Sequence, residues 1–490
     1  MDPNRPAIRR LIWLLCVLGA LRIVAFAAAY PFFDYIDEAL HLDTVLDFAR
    51  EGLPGRGDDR FYIDDARIIA RYSVARDPMP PAEREAAIET EAQRLIQYRN
   101  AETFAPPVYY ALAAGWYRVG QAVGLRGTAL LYWLRFFAAP LYGGAIWLAC
   151  QTCLKFHPKR PALAVGVGIL LAAWPQNILY TINSDVASPL AVALALYLLV
   201  RWIESPRPST GLAIAAGVAA SMAMLTKYTN VAALMIIPVA ILIARRRHPG
   251  RGGAKEIAAL LLATAIPLGI WMLRCQVVLG DWTASREKAA MLDWSVLPIR
   301  ESLRHPIFTV PGVLDFISRL CVTFWRGELV WNNSVQRIAW VDALYLCVSA
   351  LGLLGVLGWL LRPSPTGREE RPLALLYFIA VAGSVAFLGL LSTRYDYGHC
   401  FFPSRGFPYF AAGRLMTGVM APFAILLVGG AEELVPLKGR LRAGVALASL
   451  VAVICLSSEI WLSSTVSGGG TNATGVFQSP GNAYHLIRAG

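Results

Sequence analysis

Apolar residues in this chain fall into long runs separated by short charged stretches, and the runs are long enough to be membrane helices. A spanning helix needs about 20 mostly apolar residues. Segments of that kind lie at roughly 10–30, 131–153, 162–181, 186–203, 210–226, 229–244, 256–278, 339–361, 373–392, 414–431 and 442–462. The pattern predicts an all-α, polytopic membrane protein with about eleven transmembrane helices, between nine and thirteen. The first run, Leu11–Tyr30, is long enough to span and lacks a small-x-small site after it, so it is expected to be a retained helix and not a cleaved signal.

The connections alternate in character. One set is short and basic, with Arg5, Arg9 and Arg10, then Lys155, Lys159 and Arg160, then Arg245, Arg246, Arg247, Arg251 and Lys255, and later Lys438, Arg440 and Arg442. The positive-inside rule makes this the cytoplasmic set and the N-terminus cytoplasmic. The other set holds a first outer loop at 31–130, a second at 279–338, the turn at Lys227, the connection 393–413 and an outer C-terminal tail at 463–490. The alternation requires that 106–124 not cross. Its two prolines and its Tyr109, Tyr110, Trp116 and Tyr117 predict an interfacial helix anchored at headgroup depth. Within the first loop, 37–50 has helical spacing, with Ala39, Leu42, Leu46 and Ala49 on one side and Asp37, His41 and Thr44 on another. Asp43 and Asp47 fall on a third flank and read as solvated charge. Residues 81–98 form a second amphipathic pattern, with Ile88, Ala92, Leu95 and Ile96 apolar. The whole chain, 1–490, reads as a single transmembrane domain.

Composition agrees: 56% of the 490 residues are hydrophobic and 16% charged, far from a soluble or disordered chain. The net charge of +12 is spread between apolar runs without an aromatic-laced stripe, which argues against nucleic acid as a partner. Eight dispersed Cys form no metal or disulfide framework. Six of the 45 basic residues are Lys, so the Lys of the tight turn Leu225-Thr226-Lys227 stands out.

Candidate chemistry gathers on the outer side. The stretch PFFDYIDEALHLD at 31–43 sets Asp34, Asp37, Glu38 and His41 where the first helix leaves the bilayer, and ionisable groups at such a boundary are costly unless used. Asn183-Ser184-Asp185 lies at the same level, with Asp185 suited both to capping the next helix and to a site. Lys227 fits a snorkelling role or a cation for a lipid phosphate. Arg394, Arg405 and Arg414 with His399 occupy the last outer connection, where guanidinium forks suit phosphate oxygens.

These motifs, in this order, resemble the GT-C superfamily of integral-membrane glycosyltransferases. Tyr35-Ile36-Asp37-Glu38 with His41 resembles the acidic motif of the family's first loop. Ala105-Pro106-Pro107-Val108-Tyr109-Tyr110 resembles its Pro-Pro-Leu-Tyr-Tyr helix, Asn183-Ser184-Asp185 its second acidic loop, Leu225-Thr226-Lys227 its Leu-Thr-Lys turn and Gly413-Arg414 its Gly-Arg-Tyr motif. Leu415 replaces the usual Tyr, and the acidic insertion at 51–102 lengthens the first loop. The resemblance implies a GT-C-like fold and inverting transfer of a hexose or pentose from a polyprenyl-phosphate donor to a lipid, glycan or protein acceptor, in a bacterial inner or plasma membrane. It also implies Asp37 as base with Asp34 its rival, Glu38 and His41 beside them, and Asn183, Asp185, Tyr109, Lys227, Arg405 and Arg414 on the substrates. The cofactor stays open: Asp37, Glu38 and Asp185 are hard-cation ligand types, and the sequence does not require a metal. The contrasting reading is a multi-pass transporter or flippase for a lipid-linked or small anionic substrate, for which coupling charges at midplane and repeated halves are expected.

Overall fold

The computed structural model describes residues 5–33, 37–53, 60–73, 80–205, 209–247, 253–331, 334–361, 367–400, 402–435 and 440–467. Asp34 lies outside the described residues, as does most of the C-terminal tail. The helices are α1 (Arg5–Ala29), α2 (Glu38–Glu51), α3 (Ile63–Ser73), α4 (Pro81–Leu95), α5 (Pro107–Ala122), α6 (Gly127–Arg135), α7 (Ala138–Phe156), α8 (Pro161–Ala172), α9 (Ser188–Glu204) and α10 (Thr210–Thr226). They continue as α11 (Ala232–Arg247), α12 (Ala254–Leu279), α13 (Ser285–Met291), α14 (Ile299–Ser302), α15 (Val310–Arg326), α16 (Ala339–Leu361), α17 (Gly367–Ser392), α18 (Met420–Leu434) and α19 (Arg440–Ser467).

Among the described residues, nine helical segments are long and apolar enough to cross a membrane, and α8 and α10 are shorter apolar helices. Together they account for all eleven apolar runs. The run at 162–181 does not form a full span: α8 stops at Ala172, 12 residues or about 18 Å long, and the chain turns through Pro175 into a 3-10 turn at Asn177–Tyr180. Such irregular backbone is tolerated at membrane depth only when protein surrounds it. Here it is buried, with Trp174 stacked on Trp325 at 4.3 Å between ring centroids.

Helix α8 packs against α1, α7, α18 and α19 at the centre of the bundle, while α10 packs on α9 and α12, and α11 on α9 and α17. The first and last spans are joined by a buried ion pair, Arg22 Nη1 to Glu459 Oε2 at 2.8 Å, with Tyr180 also bonded to Glu459. At one end of the bundle four 3-10 turns converge: Asn177–Tyr180, Ser184–Ala187, Tyr228–Val231 and Gly413–Val419. A glycine is required at the last of these. A Cβ on Gly413 would lie 1.9 Å from the Phe324 backbone nitrogen, and the Gly413 N–H donates to Thr323 Oγ1 at 2.8 Å.

The first loop differs from its sequence reading in two respects. Helix α2 is enclosed as far as Phe48, with Arg50 and Glu51 of its last turn exposed: Glu38, His41, Asp43, Thr44 and Asp47 are all buried along with the apolar positions. The solvated reading of Asp43 and Asp47 is therefore wrong, because α3, a helix absent from the sequence reading, brings Asp65 against them and Asn100 covers Asp43. Helix α5, 16 residues long, packs on α2, α6 and α10 and turns Tyr109 and Tyr110 inward, away from the headgroup role expected of them. The second loop is tied to the last connection by a short antiparallel pairing of Ser295–Val296 with Tyr395–Asp396.

Candidate active site

The site forms where the converging turns meet the start of α2. Glu38 is its scaffold. This carboxylate is fully buried and takes both arms of Arg135, Nε to Oε1 at 2.7 Å and Nη2 to Oε2 at 2.6 Å, together with the Ile182 and Phe33 N–H groups. Arg135 also donates to the carbonyls of Ala27, Tyr30 and Pro31, so one buried pair fixes the exit of α1, the start of α2 and the 177–183 segment. With every acceptor direction engaged, Glu38 has no oxygen available for a metal or a substrate proton. Nothing in the sequence around Arg135 distinguishes it from a basic residue at a helix end.

Asp37, one residue earlier, is held differently. It is the N-cap of α2 yet has φ 66° and ψ 3°, and its side chain makes no capping hydrogen bond. An N-cap is ordinarily extended and bonds the first turn, and Asp is among the few residues that accept the left-handed region. The turn instead aims the carboxylate across the site, where Oδ2 accepts from Arg414 Nη2 at 3.0 Å. Asp37 stays one-third exposed and Arg414 about half that.

Three further carboxylates and a lysine surround this pair. Asp185 is buried and lies 2.6 Å from Lys227 Nζ, while its backbone N–H is capped by Asn183 Oδ1 at 2.9 Å. Burial, together with nearby Arg414, pulls the Lys227 ammonium below its ordinary value against the attraction of Asp185. Glu328, just beyond α15, is buried, and burial raises its carboxyl despite Arg414, Arg319 and Arg326 nearby. A third line of contacts runs from His41 Nδ1 to the Tyr110 hydroxyl at 2.7 Å and on to Glu102 Oε2 at 3.3 Å, with Lys288 of α13 paired to Glu102. Burial holds His41 down to about 4, so it is neutral at ordinary pH. Glu102, although burial opposes it, is held down to about 2 by Lys288 and the other cations.

The structure thus brings Asp37, His41, Asn183, Asp185, Lys227 and Arg414 into one region, with Tyr109 buried against the Asn183 backbone. Arg405 is not part of it: the residue is exposed and its fork is spent on Asp396 at 2.8 and 2.9 Å. Arg394 and His399 are exposed too. Sequence reasoning missed Arg135, Tyr110, Glu102, Lys288 and Glu328, of which Tyr110 alone stood in a quoted motif. Two buried donors, Arg414 Nε and Asn183 Nδ2, have no hydrogen-bond partner among the described residues. Unpaired buried donors are expensive, and donors so placed suit an anion.

The family model described as "Predicted membrane protein (DUF2142)" matches residues 21–392. Among solved structures, the chain is similar to ArnT from Cupriavidus metallidurans bound to undecaprenyl phosphate, with a TM-score of 0.48 and 12% identity over 93% of this chain and 75% of that one. ArnT from the same organism in the apo state gives a TM-score of 0.42 and 13% identity over the same shares. No curated protein matches the sequence.

Proposed function

The chain belongs to the DUF2142 family of predicted membrane proteins, and we propose that it is a glycosyltransferase that moves a sugar from a polyprenyl-phosphate donor to an acceptor hydroxyl at the outer face of the membrane, inverting the anomeric carbon. One observation carries the reading. A carboxylate freed from its capping role, Asp37, shares a single guanidinium arm with Arg414, whose Nε is unpaired, beside Lys227.

The chemistry follows from those positions. The acceptor hydroxyl attacks the anomeric carbon while Asp37 takes its proton, and the bond from that carbon to the phosphate oxygen breaks. The departing polyprenyl phosphate gains negative charge as it leaves. Arg414 and Lys227 are placed to meet that charge, and such interactions strengthen as the transition state forms. A bound phosphate also draws Arg414 away from Asp37, which leaves the carboxylate freer to accept a proton. Asn183 Nδ2 supplies a neutral donor for the sugar or phosphate, and neutral His41, fixed by Tyr110, borders the acceptor side.

The test uses purified protein with a panel of radiolabelled polyprenyl-phosphate hexoses and pentoses and a membrane extract as acceptor source. Sugar is expected to leave the lipid with wild type. Asp37→Asn is expected to slow transfer about a hundredfold or more while retaining donor binding, and Lys227→Ala to weaken donor binding. Undiminished turnover in Asp37→Asn removes it as base. Movement of intact donor across vesicles with no loss of sugar would establish the transporter reading instead.

A further inference from the structure

The geometry points to a hard divalent cation site in the first outer loop, built from Asp43 and Asp47 of α2 and Asp65 of α3, which fastens the helix bearing Asp37 and His41 to the rest of the loop. All three side chains are buried, at 0%, 6% and 1% exposure. One carboxylate oxygen from each lies within 4.8 Å of the others. Two oxygens bound to one calcium ion at about 2.4 Å can be up to roughly 4.8 Å apart, so the cluster has the span of a single coordination shell.

Charge makes the same point. Arg50 is the cluster's cation, with Nη2 2.9 Å from Asp47 Oδ1 and both Nη atoms on Asp65. With all three ionised, one guanidinium against three carboxylates leaves two negative charges to be offset in a buried place, by a divalent cation or by protons. Asp43 is where the deficit shows. Its Oδ2 accepts from Asn100 Nδ2 at 2.7 Å, while Oδ1 is buried with no hydrogen-bond partner among the described residues. An oxygen-only donor set with no sulfur or imidazole selects calcium or magnesium over zinc or copper. Arg50, more than a third exposed, closes the solvent side and lies over the Tyr62 ring at 4.2 Å.

This site is separate from the transferase reading and its readout does not depend on activity. The full-length protein, stripped with a chelator in detergent, is titrated with calcium or magnesium while thermal unfolding is followed. Terbium luminescence, displaced by calcium, reports binding directly. A saturable rise in Tm is expected in wild type, with apparent affinity lowered at least about tenfold in Asp43→Asn and in Asp47→Asn. Chelated Asp43→Asn should be no less stable than chelated wild type, since the amide removes a charge and keeps the shape. Absence of any cation-dependent shift in wild type would mean that protons hold the cluster and would overturn the proposal. A shift that persists unchanged in both variants would place the cation elsewhere and overturn it equally.

Discussion

Asp37 and Glu38 are neighbours of the same charge with opposite fates, and the difference is made by the groups that reach them. Glu38 meets a five-donor guanidinium and two backbone N–H groups and becomes structure, whereas Asp37 meets one arm of Arg414 and stays available. The doublet was legible in the sequence; the division of labour was not, because Arg135 lies 97 residues away in the chain. His41 is subject to a similar argument with a pH consequence. Its folded value, about 4, lies below the ordinary 6.5, so between those values the unfolded chain binds a proton that the folded one does not. The stability this represents is complete above pH 6.5 and is lost as pH falls toward 4, by up to about 3 kcal/mol. Thermal unfolding from pH 4.5 to 7 is expected to show this slope in wild type and a shallower one in His41→Gln. Asp47 contributes with the opposite sign, since its raised value withdraws stability as pH rises through about 6; the comparison of the two proteins cancels it.

Elements show why the apolar runs were readable while their ends were not. Runs of about 20 apolar residues announce spans by length alone, and all eleven located from the sequence are apolar helices among the described residues, nine of them long enough to cross. The tight turns that close the spans have no comparable pattern, and α8 ends at Ala172 just before Trp174-Pro175-Gln176-Asn177, a polar interruption inside the 162–181 run. Lys227 was visible against an Arg background, and Gly413-Arg414 by motif, but the reason for the glycine is tertiary: α15 passes against it. Substituting Gly413→Ala sets a methyl group on the Phe324 backbone. The variant is expected to fold with a lowered Tm and to lose donor affinity more than turnover, because displacement of the 413–419 turn moves Arg414 from Asp37. Equal activity in wild type and Gly413→Ala would show that the turn position does not matter. In the first loop the helical wheel of α2 had one buried side too few, since Asn100 and Asp65 arrive from outside its window.

At the scale of the molecule, the alternating Lys and Arg content of the connections predicts that the end carrying Asp37, Asp185, Lys227 and Arg414 faces outward. Single-cysteine labelling tests this in a background with the native cysteines replaced. An impermeant maleimide added to intact cells is expected to label Glu83→Cys on exposed α4, and to label Lys255→Cys at the opposite end only after permeabilisation. Labelling in the reverse order would place the site on the cytoplasmic side and remove the outer-face donor chemistry. The second loop, 279–338, completes the site region at two places, with Lys288 paired to Glu102 and Glu328 just beyond α15. No reading of contiguous residues could have joined them.

The ion pair between Arg22 and Glu459 also says something about how the protein is made. Arg22 enters the bilayer with the first span, and its counter-charge is 437 residues downstream. At synthesis rates of 5–20 residues per second the arginine waits roughly 20–90 s for its partner. During that time a cost of about 2.5–3.5 kcal/mol, on the scale of translocon insertion, must be carried by the apolar residues around it. A nascent chain halted before the last span therefore holds an unneutralised intramembrane charge at the centre of an unfinished bundle. Arrival of Glu459 is what neutralises that charge.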